Sequence, residues 1–451
     1  MQVESSRYRY TILLLNCLLT FGSYYCFDMP SNCKDQIKEQ IIDKFTDDSD
    51  LYYNYFYLVY SWTNMIMSLC AGLMVDKLGK EKSMYLFVFF CLFGSAVYAG
   101  GTAMTNSDPK LQYGVMFFGR FIFGLGGGPI TIVQNVYTAT HFKSHNLALA
   151  FGCTLTVSRV GSVINFSLTP AIYKFIENHI SETYALAITL AFGSSLVLIS
   201  AVSAVLLSRL DNQAVKEKAG PYKNEDTKIS KKINLSDVKE FPALYWVLAV
   251  CIALFYSIVF PFMANAPTYL EEEKFGLSST GLRVSSVYGV SMVASVALGA
   301  FVDWFGRRTQ IAIIGTGLTI PTFYLLGYTT VDPIVSMLML GVSYSVCAAA
   351  LWPSVQMLVP LRTSGTANGV ATSVQMLGIG ICNIVVGKLN DGATFSHQML
   401  FFAGLGAASL ATALSMFCAD TDRKMYLGKR DEDLSETDEM RSPLITKEEL
   451  V

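Results

Sequence analysis

Charge is what this sequence has least of. Asp, Glu, Lys and Arg make up 15% of its 451 residues, against about a quarter in a soluble domain, so a water-exposed globule is excluded as the main body of the chain. Only four histidines occur, His141, His145, His179 and His397. They fall at the edges of apolar runs or in loops, which leaves the runs without an imidazole to relay protons. The ten cysteines stand singly, with no CxxC and no Cys/His cluster, so neither a metal centre nor a bound cofactor is expected. Cys26 and Cys33 bracket the end of the first apolar run, and free thiols are favoured there over a pair. HExxH, GxSxG and paired acids within an apolar run are all missing, which removes the polar cluster that a membrane enzyme needs. A net charge of −2 offers no attraction to nucleic acid.

What is present is apolar. Hydrophobic residues make up 52% of the chain, with a mean hydropathy of +0.41. They gather in runs long enough to cross about 30 Å of hydrocarbon at about 1.5 Å per residue. Twelve spans are expected: 8–28, 51–75, 83–105, 112–140, 145–175, 182–208, 243–269, 281–302, 309–328, 333–358, 364–388 and 395–418. In a lipid bilayer each segment must satisfy its own backbone polar groups, so each span is predicted to be a helix. The fold class is all-α polytopic, with two pseudo-symmetric bundles of six. The first run lacks a small-residue cleavage site and reads as a transmembrane helix, not a removed signal.

Lysine and arginine place both termini in the cytoplasm. That side receives Arg7, Arg9, Lys77, Lys80, Lys82, Lys143, Arg307, Arg308 and Arg362. On the other side Lys34, Lys38 and Lys44 sit among Asp35, Glu39, Asp43, Asp47 and Asp48. The expected organisation is an N-terminal bundle (1–209), a cytoplasmic central loop (210–240), a C-terminal bundle (241–419) and a disordered cytoplasmic tail (420–451). The loop's lysines, Lys216 to Lys218 and Lys228 to Lys232, suit an anionic leaflet; a plain tether accounts for them equally well.

Many carriers are built from repeated halves, and this chain carries such a repeat. Gly72-Leu-Met-Val-Asp76-Lys77-Leu-Gly79-Lys80 closes the second span, and Gly299-Ala-Phe-Val-Asp303-Trp304-Phe-Gly306-Arg307 closes the eighth. A glycine lets neighbouring helices approach closely, and an aspartate at the membrane surface suits a helix N-terminus or a nearby cation. Gly72, Asp76, Gly79, Lys80, Gly299, Asp303, Gly306 and Arg307 are therefore the candidate gating residues. A hairpin that serves orientation alone is the plainer reading. Trp304 stands where Lys77 follows Asp76, which predicts the weaker latch at Asp303.

A charge at mid-span costs about 2.5 kcal/mol or more and marks a functional candidate. Arg120 lies in the outer half of the fourth span, where a structural bond to a neighbouring helix is expected. Arg159 falls midway along the fifth span among Ser158, Gly161, Ser162 and Asn165, at the depth where carriers hold substrate. Its guanidinium fork suits a carboxylate; bonding to helix carbonyls for packing alone is the alternative. Asp28 stands at the outer end of the first span and no acid stands at the middle of any, so facilitated diffusion, a uniporter, is expected. Tyr25, Tyr57, Trp62, Gln134, Asn135, Tyr256, Tyr288, Tyr344 and Trp352 complete the expected substrate site, though each also fits ordinary packing or an interfacial belt.

The Gly72–Lys80 string resembles the GxxxD(R/K)xGR(R/K) signature of the major facilitator superfamily, and Gly119-Arg120-Phe-Ile-Phe-Gly124-Leu-Gly126 resembles its RxxxGxG signature. That resemblance implies twelve helices, alternating access and, for the first signature, a part in holding the outward-open state. From about residue 8 to 418 the chain is similar to one branch of the superfamily, the lysosomal dipeptide carriers. The residues responsible are Phe21 to Pro30, Tyr60 to Asn64, Gln134 to Tyr137, Ser158 to Ser162, Val259 to Phe262, Glu273 to Gly276, Leu340 to Ser345 and Leu351 to Pro353. The likeness implies a dipeptide substrate and a peptide-site arginine at Arg159. A different organic anion or an amino acid is the alternative substrate class.

The same likeness implies a lysosomal or endolysosomal membrane and a heavily glycosylated single-span accessory protein. The chain's own sequons, Asn165-Phe-Ser167 and Asn234-Leu-Ser236, fall in a span and in the central loop, where glycosylation does not reach. In the tail, Glu439 to Ile445 resembles an acidic dileucine signal with the acid one position too far from the leucine. One position departs from the branch, which carries an acid after the glycine pair of the fourth span where this chain has Gly128. Either carbonyls freed near Pro129 and aromatic faces bind the amino group, or the substrate differs. A non-transporting receptor or scaffold is the rival from another class, and it has no use for duplicated gating loops.

Overall fold

Each apolar run becomes a helix, because a backbone buried in hydrocarbon has nowhere else to place its amide groups. The computed structural model describes residues 6–142, 147–181, 183–218, 238–239, 241–270, 280–359, 363–392, 394–422 and 427. Among them twelve segments are long and apolar enough to cross a membrane: α1 Arg7–Asn32, α2 Ser49–Leu78, α3 Lys80–Ala103, α4 Pro109–Phe142, α5 Leu147–His179, α6 Ala185–Gln213, α7 Ala243–Thr268, α8 Arg283–Phe305, α9 Arg308–Tyr328, α10 Pro333–Met357, α11 Ser364–Asn390 and α12 Phe395–Asp420. No strand occurs among the described residues. These are the twelve expected spans, most of them longer than read from hydropathy.

Local chemistry explains several of their ends. Asp332 caps α10 by accepting from the Ile334 amide at 2.9 Å, and Pro333 takes the first helical position, where a missing N–H costs nothing. The repeated motif ends α2 at Gly79 with φ +91° and α8 at Gly306 with φ +67°. Residues with a Cβ rarely adopt that region, which is why glycine recurs at both places. The motif's first glycine has a different task. A Cβ at Gly72 would meet the Gly365 carbonyl oxygen at 2.4 Å, and one at Gly299 the Ala148 carbonyl oxygen at 2.5 Å. Through these contacts α2 packs on α11 and α8 on α5, each pair joining the two halves.

Two boundaries differ from expectation. Beyond α1 the chain stays helical through Lys34–Ile37 and a wider turn at Lys38–Ile42, where a loop was expected. The sixth helix runs on to Lys218, past the loop boundary expected at 210. Residues 219–237 and 240 of the central loop lie outside the described residues. So do Lys143, His145, Glu273 to Gly276, Arg362 and the tail segment Glu439 to Ile445. Cys26, Cys33 and the other eight cysteines are free thiols.

Candidate functional site

Arg159 sits on the inward face of α5 with 1% of its surface exposed. Three tyrosine rings surround its guanidinium carbon: Tyr24 of α1 at 4.7 Å, Tyr288 of α8 at 4.9 Å and Tyr344 of α10 at 4.5 Å. Nη2 donates to the Tyr344 hydroxyl, while Nε and Nη1 meet no acceptor. A buried donor left unmade costs about 1–3 kcal/mol, more when charged. Two of its three nitrogens therefore hold N–H groups with no partner among the described residues, which suits them to an oxygen ligand. No helix carbonyl takes these N–H groups among the described residues.

Asp28 is more enclosed than its place near the end of α1 suggested. It is 3% exposed, its Oδ2 accepts from Ser162 at 2.6 Å and its Oδ1 from Tyr288 at 3.4 Å. Residue 28 does stand near the end of α1, which closes at Asn32, but its carboxylate is turned inward against α5 and α8. Ser162 lies three residues along α5 from Arg159 and shares its face. The carboxylate and the guanidinium thus belong to one buried cluster, with Tyr288 between them.

A cavity between the halves is lined by Tyr24, Gly128, Gln134, Asn135, Ser158, Tyr256, Tyr344 and Trp352, among others. Trp352 Nε1 donates to the Tyr256 hydroxyl at 2.8 Å. Asn135 donates across the halves to Asn368 at 3.2 Å. The Gln134 amide donates to the Asn16 carbonyl at 2.7 Å and to Thr20 Oγ1 at 3.0 Å, bracing α1. Arg159 and Tyr288 are absent from this wall and stand one side chain beyond it, with Tyr24 and Tyr344 between.

Three further expected residues lie away from the cavity wall. The Tyr25 hydroxyl pairs with Thr169 at 2.8 Å on the α1–α5 seam. Tyr57 lies under the Arg120 guanidinium at 5.2 Å. Trp62 is 44% exposed and its ring covers Gly380 of α11. Residue type and span were legible for these three; the face was not, because aromatics crowd every side of α2 from Tyr52 to Tyr60. Gly128 has a plain steric reason. A Cβ there would fall 1.7 Å from Asn64 Oδ1, so no acidic side chain fits while Asn64 of α2 holds its place. That oxygen is already engaged by Ser68 at 2.7 Å.

Arg120 has the geometry of a strut. Pro30 lacks the N–H that would satisfy the Cys26 carbonyl four residues before it. Arg120 supplies the missing donor, reaching Cys26 O at 3.2 Å and Phe27 O at 3.0 Å.

The two halves are bonded at both ends of the cavity. At one end Asp76 accepts from the amides of Gly365 (3.2 Å) and Thr366 (2.8 Å) and from Thr366 Oγ1 (2.7 Å), all in the first turn of α11. Its counterpart Asp303 accepts from the amides of Ala148 (3.1 Å) and Leu149 (2.8 Å) in the first turn of α5, and from Arg308 at 3.3 Å. Each carboxylate thus meets the positive end of a helix of the other half. Trp304 leaves no basic residue next to Asp303 in the chain, and Arg308 brings one from the next helix. Lys80 pairs instead within its own half, with Asp211 at 3.1 Å, and Arg307, at φ 51°, lies over the Phe305 ring at 5.4 Å. At the opposite end Lys34 is buried, pairs with Asp50 at 2.6 Å and donates to Asn265 of α7 at 3.3 Å. Asn54 and Asn390 also bond Asn265, at 3.2 and 3.1 Å. Sequence reasoning missed this cluster, having counted Lys34 as a loop charge.

Known proteins share this architecture. The family model of the Major Facilitator Superfamily matches residues 42–382. The Lysosomal dipeptide transporter MFSD1 of Homo sapiens is 32% identical over 415 residues, covering 91% of this chain and 86% of that protein. That of Danio rerio is 31% identical over 418 residues, covering 92% and 87%. Among solved structures, the proton:xylose symporter XylE bound to 6-bromo-6-deoxy-D-glucose aligns with a TM-score of 0.72 at 15% identity, over 91% of this chain and 96% of that one; this is a likeness of fold alone. With twelve helices long and apolar enough to span a membrane among the described residues, matching aspartate–helix contacts at equivalent places and a family match across three-quarters of its length, the chain belongs to the Major Facilitator Superfamily and is a multi-pass membrane carrier of small molecules, not an enzyme.

Proposed function

We propose that this carrier is a dipeptide uniporter that moves its substrate by alternating access out of the lysosome or endolysosome. The observation that carries the reading is Arg159, a buried guanidinium with two unengaged N–H groups behind the cavity wall. It suits the carboxylate that every dipeptide presents, while the aromatic cavity around Tyr256, Tyr344 and Trp352 tolerates varied side chains. The MFSD1 relatives named above are lysosomal dipeptide transporters, which supports the substrate class and the membrane. The excess of Lys and Arg at the latch end supports cytoplasmic termini and makes the Asp76 and Asp303 latches the cytoplasmic gate. Residues 1–209 and 241–419 then act as the two rocking units. A glycosylated single-span partner would shield the opposite face, whose loops carry no sequon of their own.

Uptake into proteoliposomes tests the reading. A labelled dipeptide should equilibrate down its gradient without a pH difference, and amino acids and organic anions should compete poorly. Asp28 makes the interior less free of acid than the sequence suggested, so the protonophore arm of the assay bears on that residue. Concentrative uptake driven by a pH step and abolished by a protonophore would replace uniport with proton coupling. Entry of organic anions but not dipeptides would remove the dipeptide reading.

A further inference from the structure

We infer that Asp28 is the group that receives the substrate's ammonium end, so that the site reads both charges of a zwitterion through Asp28 and Arg159. The inference rests on the reading of Arg159 as the carboxylate receptor and adds to it a second pole. Its first support is the state of the carboxylate. Asp28 is buried and engaged only by two neutral hydroxyls, Ser162 and Tyr288, although a carboxylate offers about four acceptor positions. A buried anion without a cation at hydrogen-bond distance is poorly compensated.

Its second support is spacing. Among the described residues Asp28 forms no direct ion pair, and Tyr288 separates it from Arg159, presenting its ring to the guanidinium at 4.9 Å and its hydroxyl to the carboxylate at 3.4 Å. Opposite charges on either side of one aromatic ring, both behind the cavity wall, match the two ends of a short zwitterion. Arg159 keeps N–H groups on two nitrogens still to be paired.

The third support is exclusion. The other interior position for an acid, Gly128, is filled by Asn64, and the carbonyl oxygen of Asn64 is bonded to Ser68. The Gly128 carbonyl is taken by Thr131 Oγ1 at 2.6 Å. The carbonyl that Pro129 leaves without its helical donor is that of Leu125, which is uncharged, so Asp28 outranks it as the ammonium partner. Because Asp28 belongs to α1 and Tyr288 to α8, an ammonium that draws Asp28 away from Tyr288 also loosens a bond between the halves.

The test is binding to the purified full-length chain, read by ligand-induced thermal shift with three probes: a dipeptide with free ends, its N-acetyl derivative and its C-terminal amide. The unmodified chain should favour the free dipeptide over the N-acetyl form. Asp28→Asn should weaken the free dipeptide roughly ten- to hundredfold, the weight of one charge-assisted hydrogen bond, and leave the N-acetyl form unchanged. Equal weakening of both probes, or an undiminished preference for the free amine, overturns the assignment. Should Asp28→Asn not purify as a folded protein, Ser162→Ala removes one donor from the carboxylate. It should change the ratio of free to N-acetyl affinity at least about threefold, and an unchanged ratio counts against Asp28. The amide probe separates the two poles: if it binds as well as the free acid, the Arg159 reading fails, whereas a carboxylate requirement that survives beside an inert Asp28→Asn removes Asp28 alone.

Discussion

Arg120 and Arg159 share burial, the same half of the molecule and a cage of aromatic rings, and they differ in what their nitrogens meet. Arg120 donates to two carbonyls of α1 and stays within its own half. Arg159 donates to a tyrosine of the other half and keeps two N–H groups unengaged. A carrier must keep each half rigid while the contacts between halves break and re-form. A guanidinium inside one half can therefore be bonded permanently to backbone, whereas one facing the other half has to exchange partners. The same division holds for the acids, since Asp76 and Asp303 cross between halves and Asp211 stays within one.

Substitution at the two arginines should separate these roles. Arg159→Ala should reduce dipeptide uptake by about a hundredfold or more, the weight of a desolvated charge pair, with the unfolding midpoint in detergent unchanged. Arg159→Lys keeps the charge but loses the fork, and it should be nearly as inactive; a fully active Lys variant would sink the two-oxygen reading. Arg120→Ala should do the reverse. It leaves the Cys26 carbonyl without a donor above Pro30 and should cost about 2–5 kcal/mol of stability, seen as a clear fall in the unfolding midpoint. If Arg120→Ala protein that remains folded binds substrate normally, Arg120 is a strut. If its melting is normal and its binding is lost, the two arginines have been assigned the wrong way round.

How much of this was legible in the sequence follows the same division. Features set by neighbours in the chain could be read: the twelve helices, the repeated glycine–aspartate motif, and an acid one turn before a glycine. Features set by distant packing could not. Asp28 looked marginal because it stands near the end of α1, and only the packing of α5 and α8 shows that its carboxylate is enclosed. An acid inside an apolar run was itself the available clue, since such residues are functional candidates by default. Lys34 looked like a loop charge because Asp50 and Asn265, which bury it, are remote in the chain. Tyr25 and Trp62 had the right type in the right span, and only the packing of α1 and α2 reveals that they face away.

The latches sharpen the comparison at smaller magnitude. Asp303 holds a helix N-terminus and Arg308, whereas Asp76 holds a helix N-terminus and a threonine hydroxyl. Each charge–dipole contact is worth about 0.3–2 kcal/mol, or roughly a two- to thirtyfold change in the ratio of the two open states. Asp76→Asn and Asp303→Asn should both raise labelling of cysteines introduced at the latch end of the cavity and lower it at the opposite end, leaving substrate binding intact. Asp303→Asn should have the larger effect, because it also breaks an ion pair with a buried arginine. Unchanged accessibility in both variants would leave the motif as an orientation signal, and a larger effect at Asp76 would mean that Arg308 adds nothing to the latch.

The smallest effect is expected at Tyr25, which tests the boundary of the site itself. Its hydroxyl pairs with Thr169, and Thr169 in turn donates to Asn165 at 2.7 Å, so Tyr25 is the donor in the first bond. Tyr25→Phe removes that donor but leaves Thr169 bonded to Asn165, which limits the cost to about 0.5–1.5 kcal/mol of stability. The ring, with no exposed surface, still fills its place against Gly193 and Met29 of the same half. Uptake kinetics should therefore stay within about twofold of the unmodified chain, since a group bonded inside one half neither touches the cavity nor changes partner as the halves move. A tenfold rise in KM without loss of stability would place Tyr25 among the substrate contacts. The line drawn here between bonds within a half and bonds across halves would then fail at the residue where it should be safest.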